Sequence, residues 1–180
     1  SRERPGGRNS ALLQEGFRFD RGPTFFLYGK ILEEIYAACG LDLGTRVEMK
    51  RLDPNYHLRF EEGGDIRPTC DPERLAEQVA RIAPADARNV TRYLVDNRQK
   101  LARMRPILSS PFNSLQDTLR LPLLRLLPVI RPWLSMDGDL RRFFKDPRIR
   151  LAFSFQSKYL GMSPFRCPSL FTILSFLEYE

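Results

Sequence analysis

Histidine and cysteine are both scarce in this chain of 180 residues. His57 is the only histidine, which excludes a His-rich metal site. A Ser-His-Asp triad would have to use His57 as its histidine. We therefore interpret His57 as facing solvent or satisfying a hydrogen bond in the core. Cys39, Cys70 and Cys167 are far apart and form no Cys-x-x-Cys motif. They are expected to be buried thiols in a reducing compartment, not disulfides or zinc ligands.

Long apolar runs and concentrated charge are missing too. No apolar stretch approaches the roughly 18 to 20 residues of a membrane-spanning helix, so any membrane contact is expected at the surface. The net charge of +7 comes from 29 basic against 22 acidic residues. The arginines are scattered among prolines and leucines, so nucleic-acid binding is not predicted. With 42% hydrophobic and 28% charged residues, the chain is expected to be globular with a real core.

Two turns near the start of the chain carry the strongest signal for a ligand. The first is Arg4-Pro5-Gly6-Gly7-Arg8, and the second is Phe19-Asp20-Arg21-Gly22-Pro23-Thr24. Adjacent glycines let a backbone pass very close to a ligand, and the Arg8 guanidinium suits a phosphate. Alone, each motif is more often an ordinary solvent turn. In this order they resemble the segment of the amine-oxidase-like flavoproteins in which Gly-Gly-Arg approaches the flavin and its diphosphate.

The resemblance narrows further along the chain. Three stretches are similar to the bacterial-type phytoene desaturases, which are FAD-dependent carotenoid-forming enzymes: residues 16–24 (GFRFDRGPT), 144–157 (FKDPRIRLAFSFQS) and 159–165 (YLGMSPF). The resemblance implies an α/β fold with a Rossmann-like FAD-binding domain and a substrate domain. It also implies FAD contacts from the two turns, which we assign to Gly6, Gly7, Arg8, Asp20, Gly22, Pro23 and Thr24.

One part of the family pattern is missing. The resemblance implies an upstream strand, a Gly-x-Gly-x-x-Gly turn, a helix and a strand ending in Glu, together holding the FAD diphosphate and ribose. None of these precedes Ser1, and the family's C-terminal flavin-binding motif does not appear before Glu180. We therefore interpret the chain as an internal fragment, about a third of such an enzyme. The fragment is expected to be mixed α+β and inactive when isolated.

The local patterns predict hairpins followed by helices. Strands are expected on both sides of Glu15-Gly16, at 47–50 and 57–60, and from Ile66 to Cys70 after a hairpin loop. Helices are expected from Ile31 to a stop at Gly40, after an Asp71 N-cap, from Pro84 to Pro106, and around Asp137 and Asp146. The functional regions predicted are 1–44 (FAD domain), 45–70 (substrate-binding sheet), 71–150 (helical, membrane-associated) and 151–180 (substrate tunnel).

Residues 106–134 leave two interpretations open. Five prolines cut an apolar stretch that also carries Arg120, Arg125 and Arg131. Such a composition is typical of a surface that lies on a membrane, with arginines at the phosphates. It is equally typical of a buried helical hairpin whose arginines snorkel or pair. The water-insoluble substrate that the resemblance implies favours the membrane. The dense aromatics of 151–159 similarly suit core packing or a hydrophobic tunnel.

Asp117 and Arg120 are the predicted catalytic pair. Three residues apart in a predicted helix, they share a face. The resemblance implies a role in proton and charge movement during desaturation, and the alternative is a surface ion pair of about 0.3 kcal/mol.

Two functions from different classes follow. The first is part of an FAD-dependent oxidoreductase that desaturates phytoene or a related polyene, peripheral to the cytoplasmic side of a membrane. The second is a catalytically inactive membrane-peripheral module that binds apolar lipids.

Overall fold

The computed structural model describes residues 7–22, 26–27, 29–108, 113 and 121–179. Contacts divide the chain into two compact units, Ser1–Lys50 and Arg51–Glu180. Each unit is described by itself. The mixture of helices with small antiparallel hairpins agrees with the predicted mixed α+β character, while the four functional regions predicted from sequence stay predictions.

A two-stranded hairpin opens the first unit. Strands β1 (Ala11–Gln14) and β2 (Phe17–Asp20) pair antiparallel, with Ala11 opposite Asp20 and Gln14 opposite Phe17. Both turn residues have positive φ, 51° at Glu15 and 83° at Gly16, which matches the twist that a two-residue hairpin turn requires. The prediction of short strands joined at this turn is confirmed.

Helix α1 (Lys30–Ala38) ends where the sequence predicts. Gly40 takes φ of 69° and donates its N–H to the Ala37 carbonyl, and Leu41 donates to Tyr36 at 2.9 Å. These two bonds form a Schellman cap. The expected burial of the helix's apolar stripe is wrong, because Ile31 and Ile35 are both exposed. One hairpin and one helix are too small to cover that stripe, and Leu43 is the one buried side chain among the residues described here.

The second unit begins with a very short hairpin. Strands β3 (Leu58–Arg59) and β4 (Asp65–Ile66) pair antiparallel around a turn in which Phe60 donates to the Gly64 carbonyl at 3.1 Å. The strand predicted at 47–50 does not form. Pairing also stops after Ile66, since the Gln78 side-chain amide bonds the Arg67 N–H at 2.7 Å and the Arg67 carbonyl at 2.9 Å. The side chain thus takes the place of a neighbouring strand.

Helix α2 (Pro72–Ile82) follows its predicted signals. The Asp71 carboxylate accepts the N–H groups of Glu73 and Arg74, and Leu75 and Val79 are buried. Helices α3 (Pro84–Ala87) and α4 (Asn89–Leu108) come next. The end predicted at Pro106 is two residues early, because a proline in the last turn removes one N–H without stopping the helix.

Short helices complete the chain. They are α5 (Leu121–Ile130), α6 (Met136–Leu140), α7 (Pro147–Ala152) and α8 (Ile173–Tyr179), with 3₁₀ segments at Phe155–Leu160 and Ser169–Thr172. Asp146 caps α7 as predicted, but α6 is capped by Ser135, not started at Asp137. Within the described ranges, no helix is long and apolar enough to cross a bilayer.

Aromatic rings form the centre of the core of the second unit. Phe144 stacks on Phe153 with ring centroids 4.8 Å apart, and Tyr93 and Tyr179 each meet Phe153 edge-on. Phe153 is fully buried, as the core interpretation of residues 151–159 requires. Leu151 and Tyr159, by contrast, are exposed.

Candidate functional site

The first unit brings the described residues of the two predicted flavin-contacting turns to one end of the hairpin. A 3₁₀ turn at Gly7–Asn9 precedes β1, while Asp20 and Gly22 follow at the end of β2. The Ser10 carbonyl accepts the Arg21 N–H at 3.1 Å, which extends the pairing one step beyond Ala11 and Asp20. This return of the chain is the arrangement that the sequence predicts.

The local geometry at this end suits a group that approaches the backbone. Gly7 has φ of 52°, and no atom lies within 4 Å of the position a Cβ would take. The Asp20 carboxylate accepts from Arg18 Nε at 3.1 Å, with both side chains about 70% exposed (70% and 71%). Such an exposed pair contributes little stability, so the carboxylate is available to a ligand. The described residues therefore fit one edge of a flavin site.

The structure does not describe most of the other predicted site residues. Gly6, Pro23 and Thr24 lie outside the described residues, as do Asp117 and Arg120. Of Arg8 the structure gives only the backbone, within the Gly7–Asn9 turn. The cofactor and catalytic roles of all these residues stay predictions.

A cluster of charged side chains that sequence reasoning missed lies in the second unit. We call it the Asp139 cluster, and it comprises Asp96, Lys100, Arg131, Asp139 and Arg142. Lys100 Nζ donates to Asp139 Oδ2 and to Thr172 Oγ1, each at 2.8 Å. Arg131 donates through Nε to Asp139 at 2.8 Å and through Nη2 to Asp96 at 2.6 Å. The cluster joins α4, α6 and the residue that follows α5.

Burial and neighbouring charges act in opposite directions on the pKa values of Lys100 and Asp139. Burial lowers the pKa of Lys100, although Asp139 opposes the shift. Burial alone would raise the pKa of Asp139, but the charge of Lys100 and hydrogen bonds from Lys100, Arg131 and Arg142 hold it below its usual value. The two partners differ because Asp139 meets three cations, whereas Lys100 is also repelled by Arg131. Asp139 is therefore a firmly ionised, buried carboxylate.

One signal for this cluster was present in the sequence. Lys100 and Asn97 share the α4 face that carries Val90, Tyr93 and Met104, and all five are buried. A lysine within an apolar stripe indicates a buried partner, but the pattern cannot name Asp139, which lies 39 residues away.

A second polar group surrounds Glu178 at the end of α8. Glu178 Oε2 accepts from Tyr56 Oη and Gln156 Nε2, both at 2.7 Å, and Oε1 accepts from Tyr159 Oη at 2.6 Å. Burial, with contributions from Tyr179 and Glu178, raises the pKa of Tyr56. Burial and Glu178 likewise raise the pKa of Tyr159. Both phenols thus remain donors, and the carboxylate links the start of this unit to α8.

His57 and the cysteines have modest surroundings. His57 Nε2 lies 2.7 Å from Asp65 Oδ2 at the surface, so of the two interpretations the structure supports the solvent-facing one and not a hydrogen bond in the core. Cys167 is buried, and burial raises the pKa of its thiol. Cys39 is exposed, so the expectation of buried thiols is wrong there because α1 has no covering layer. In the part of the chain that the structure describes, no group of three His, Cys, Asp or Glu could hold a metal ion.

Helix α5 has one covered and one open face. Leu126 is buried, while Leu124, Arg125 and Pro128 are exposed, and Trp133 beyond the helix is 66% exposed. Leu126 therefore fits the buried-hairpin interpretation, and the membrane-surface interpretation of the exposed residues stays a prediction.

Comparisons with known proteins find relatives of one kind, which are named as desaturases. No protein-family model matches the chain. It is 35% identical over 97% of its length to a 4,4'-diapophytoene desaturase (4,4'-diapolycopene-forming) of Methylomonas sp. It is 31% identical over 97% to a zeta-carotene-forming phytoene desaturase of Myxococcus xanthus, and 32% identical over 99% to a phytoene desaturase (lycopene-forming) of Pantoea ananas.

The chain spans about a third of the length of these curated relatives: 34% of the first two and 36% of the third. This share agrees with the extent expected from the motifs. The comparisons give no support to the alternative of an inactive lipid-binding module. Over nearly its whole length, this chain is similar in sequence to the phytoene and carotenoid desaturases, and the family resemblance is confirmed.

Proposed function

We propose that this chain is part of an FAD-dependent desaturase that acts on phytoene or a related carotenoid or isoprenoid. The observation that carries the proposal is the similarity to curated desaturases along 97% of the chain. Those relatives are named as desaturases of phytoene or 4,4'-diapophytoene, and their names differ in the product formed.

Removal of hydrogen from an unactivated polyene requires an electron sink that no side chain offers, and bound FAD supplies it as a hydride acceptor. The protein's own contribution begins at the open end of the hairpin. Gly7, with positive φ and free space at its Cβ position, lets the backbone come close to the flavin. Asp20, opposite Ala11 at the end of β2, would offer a hydrogen-bond acceptor to the cofactor. Arg8 would contact the diphosphate.

The proposed catalytic pair is Asp117 and Arg120. The Asp117 carboxylate would accept a proton, while the Arg120 guanidinium, which stays charged, would stabilise developing negative charge. Their roles rest on the family resemblance, since both lie outside the described residues.

The proposed partner surface is a membrane, met peripherally from the cytoplasmic side. A polyene hydrocarbon partitions into a bilayer, so the enzyme must collect it there. The open face of α5 supports this contact, because Leu124 and Trp133 are exposed beside Arg125. Apolar groups interleaved with arginine suit the acyl boundary and the phosphates above it.

The test begins by sequencing the coding region on both sides of this chain. The protein that the whole coding region specifies is then assayed. We expect phytoene in liposomes to be converted, with FAD present, into products whose longer conjugation absorbs at longer wavelength. Retention of FAD without any such conversion would overturn the desaturase assignment. Replacing Asp117 by Asn tests the catalytic pair, since unchanged turnover would remove Asp117 from the mechanism.

Cofactor binding has a separate readout in the flavin absorbance that remains after gel filtration. Gly7→Ala should weaken FAD binding about tenfold or more, since a Cβ intrudes where the backbone approaches the ligand. Gly16→Ala is the matched control: Gly16 also has positive φ and open space, but it lies at the opposite end of the same hairpin. Equal loss in the two variants would mean that the hairpin is merely destabilised and would remove Gly7 from the site.

A further inference from the structure

The segment 158–166 presents an unusual run of exposed apolar side chains. Tyr159, Leu160, Met162 and Phe165 are all exposed, and Phe165 is 67% exposed. Isolated exposed apolar residues are ordinary, but four within seven positions form a patch that calls for an explanation. Neither the flavin site nor the aromatic core uses them.

The segment is folded, so its apolar groups are held outward by the backbone. Gly161 takes φ of 66° and donates to the Lys158 carbonyl at 3.0 Å, and Met162 donates to Ser157 at 3.2 Å. Further along, the N–H groups of Arg166 and Cys167 both reach the Ser163 carbonyl, at 3.0 and 2.9 Å. A rigid, preordered projection loses little entropy when it binds a surface.

The charged residues within this segment are all basic, and the Glu178 carboxylate that meets Tyr159 is buried. No Asp or Glu occurs between Asp146 and Glu178. Of the four cations in that interval, Arg148 and Arg150 are paired with Asp146 and Asp137. The remaining two, Lys158 and Arg166, are exposed and flank the apolar residues. Apolar side chains flanked by cations complement a surface that has an apolar interior and anionic groups at its boundary with water.

The end of the segment and the residues just after it are hydrogen-bonded to residues 134–137, which follow α5 in the chain. The Pro164 carbonyl accepts the Asp137 N–H at 3.1 Å, the Cys167 carbonyl accepts the Met136 N–H at 2.8 Å, and Ser169 donates to Leu134 at 2.9 Å. Trp133, with its exposed indole, directly precedes this paired stretch. The 158–166 segment is thus joined to the residues that follow Trp133.

We propose that the 158–166 segment is a second membrane-contact element, which docks on a bilayer that carries anionic phospholipid. Leu160, Met162 and Phe165 enter the boundary of the acyl chains, while Lys158 and Arg166 meet lipid phosphates. This inference rests on the membrane contact proposed for α5 and extends it to a separate part of the chain. Two elements held by one scaffold bind a membrane more tightly than either does alone.

Tryptophan fluorescence gives a direct test, since Trp133 is the only tryptophan. In a Trp133→Phe background, Phe165→Trp places the single indole on the proposed element. With vesicles of phosphatidylcholine and phosphatidylglycerol, we expect its emission to shift to the blue and to be quenched by brominated acyl chains. Phe17→Trp in the same background is the control, because Phe17 is equally exposed, at 67%, in the other unit. It should remain unquenched.

The outcomes separate this inference from the proposal on which it rests. Quenching of Trp133 in the unaltered chain, without quenching in the Phe165→Trp variant, overturns the inference and leaves the α5 contact in place. Absence of quenching at both positions overturns both. A protein occupant of the segment would likewise leave the Phe165→Trp variant unquenched.

The charged part of the inference has its own measurement. Lys158→Gln and Arg166→Gln should each lower the vesicle partition coefficient about fivefold at low salt. Arg18→Gln, an exposed arginine of the first unit, serves as the control and should change it little. Equal effects of the three substitutions would show attraction to net charge alone and would contradict a defined contact at this segment.

Discussion

Asp139 is the residue on which three cations of the second unit converge. Its side chain is 1% exposed and lies within hydrogen-bond distance of Lys100, Arg131 and Arg142. Lys100 is fully buried, and its main anionic partner is Asp139 at 2.8 Å, with Asp96 at 3.6 Å. Arg131 has φ of 47°, rare for a residue with a Cβ, and its guanidinium is held by the same carboxylate. Loss of this charge leaves buried cations undercompensated.

We expect Asp139→Asn to lower the free energy of unfolding by about 3 to 5 kcal/mol, since the variant keeps the shape but leaves Lys100 without its closest counter-charge. Urea unfolding at neutral pH measures this. Asp65→Asn is the matched control, because Asp65 pairs with His57 and Arg67 at the surface and should cost less than about 1 kcal/mol. Similar losses in the two variants would mean that the Asp139 cluster stabilises the fold no more than a surface ion pair does.

The pH dependence follows from the same carboxylate. The pKa of Asp139 is lower in the fold than its ordinary value of 3.8. Its contribution to stability is therefore complete above that value and is lost as pH falls through the lower folded pKa. The unaltered chain should lose stability more steeply below about pH 4 than Asp139→Asn does. Parallel acid unfolding curves would contradict this.

The β3–β4 turn shows how backbone conformation and packing act together in one element. Gly63 and Gly64 have φ of 90° and 89°, so a side chain is strained at either position. A Cβ at Gly63 would meet no atom within 4 Å, whereas one at Gly64 would lie 3.1 Å from Ile82 Cγ1. Ile82 packs against the core, so it cannot move away freely.

Gly63→Ala should therefore report backbone strain alone, about 1 to 2 kcal/mol of stability. Gly64→Ala should lose about 1 kcal/mol more, since Ile82 must shift within a packed core. The difference between the two urea midpoints isolates the packing contribution. If both variants lose the same stability, Ile82 relaxes without cost and the hairpin is not locked to α2.

Across the whole molecule, the core lies almost entirely in one unit. The buried cluster draws on residues 66–179, and the first unit buries Leu43 alone among the residues that the structure describes there. A two-stranded hairpin and one helix have marginal stability without a covering layer.

We expect the amide hydrogens of β1, β2 and α1 to exchange much faster than those of α4 and α8. Hydrogen exchange followed by mass spectrometry on the 180-residue chain measures this. Helix α1 and helix α2 make a useful comparison, since both are regular and capped but only α2 has buried residues. Equal protection of α1 and α2 would show that the two units unfold as one.

Prediction from sequence succeeded wherever a few neighbouring residues decide the conformation. Asp71 and Asp146 cap helices, Gly40 ends one, and Glu15-Gly16 forms a hairpin turn, since each depends on local hydrogen bonds or on φ. The spacing of Leu75 and Val79 likewise identified a buried face. The family resemblance also rested on local motifs, those of residues 4–24 and 144–165.

Contacts between distant parts of the chain required the tertiary structure. Lys100 meets Asp139 across 39 residues, and Tyr56 meets Glu178 across 122, and no periodicity encodes such partners. The Gln78 amide ended a predicted strand by binding Arg67, which residue type alone does not foretell. Local order arises from short-range sterics and hydrogen bonds, whereas the partner of a buried charge and the exposure of α1 and of the 158–166 segment depend on which surfaces the folded chain brings together.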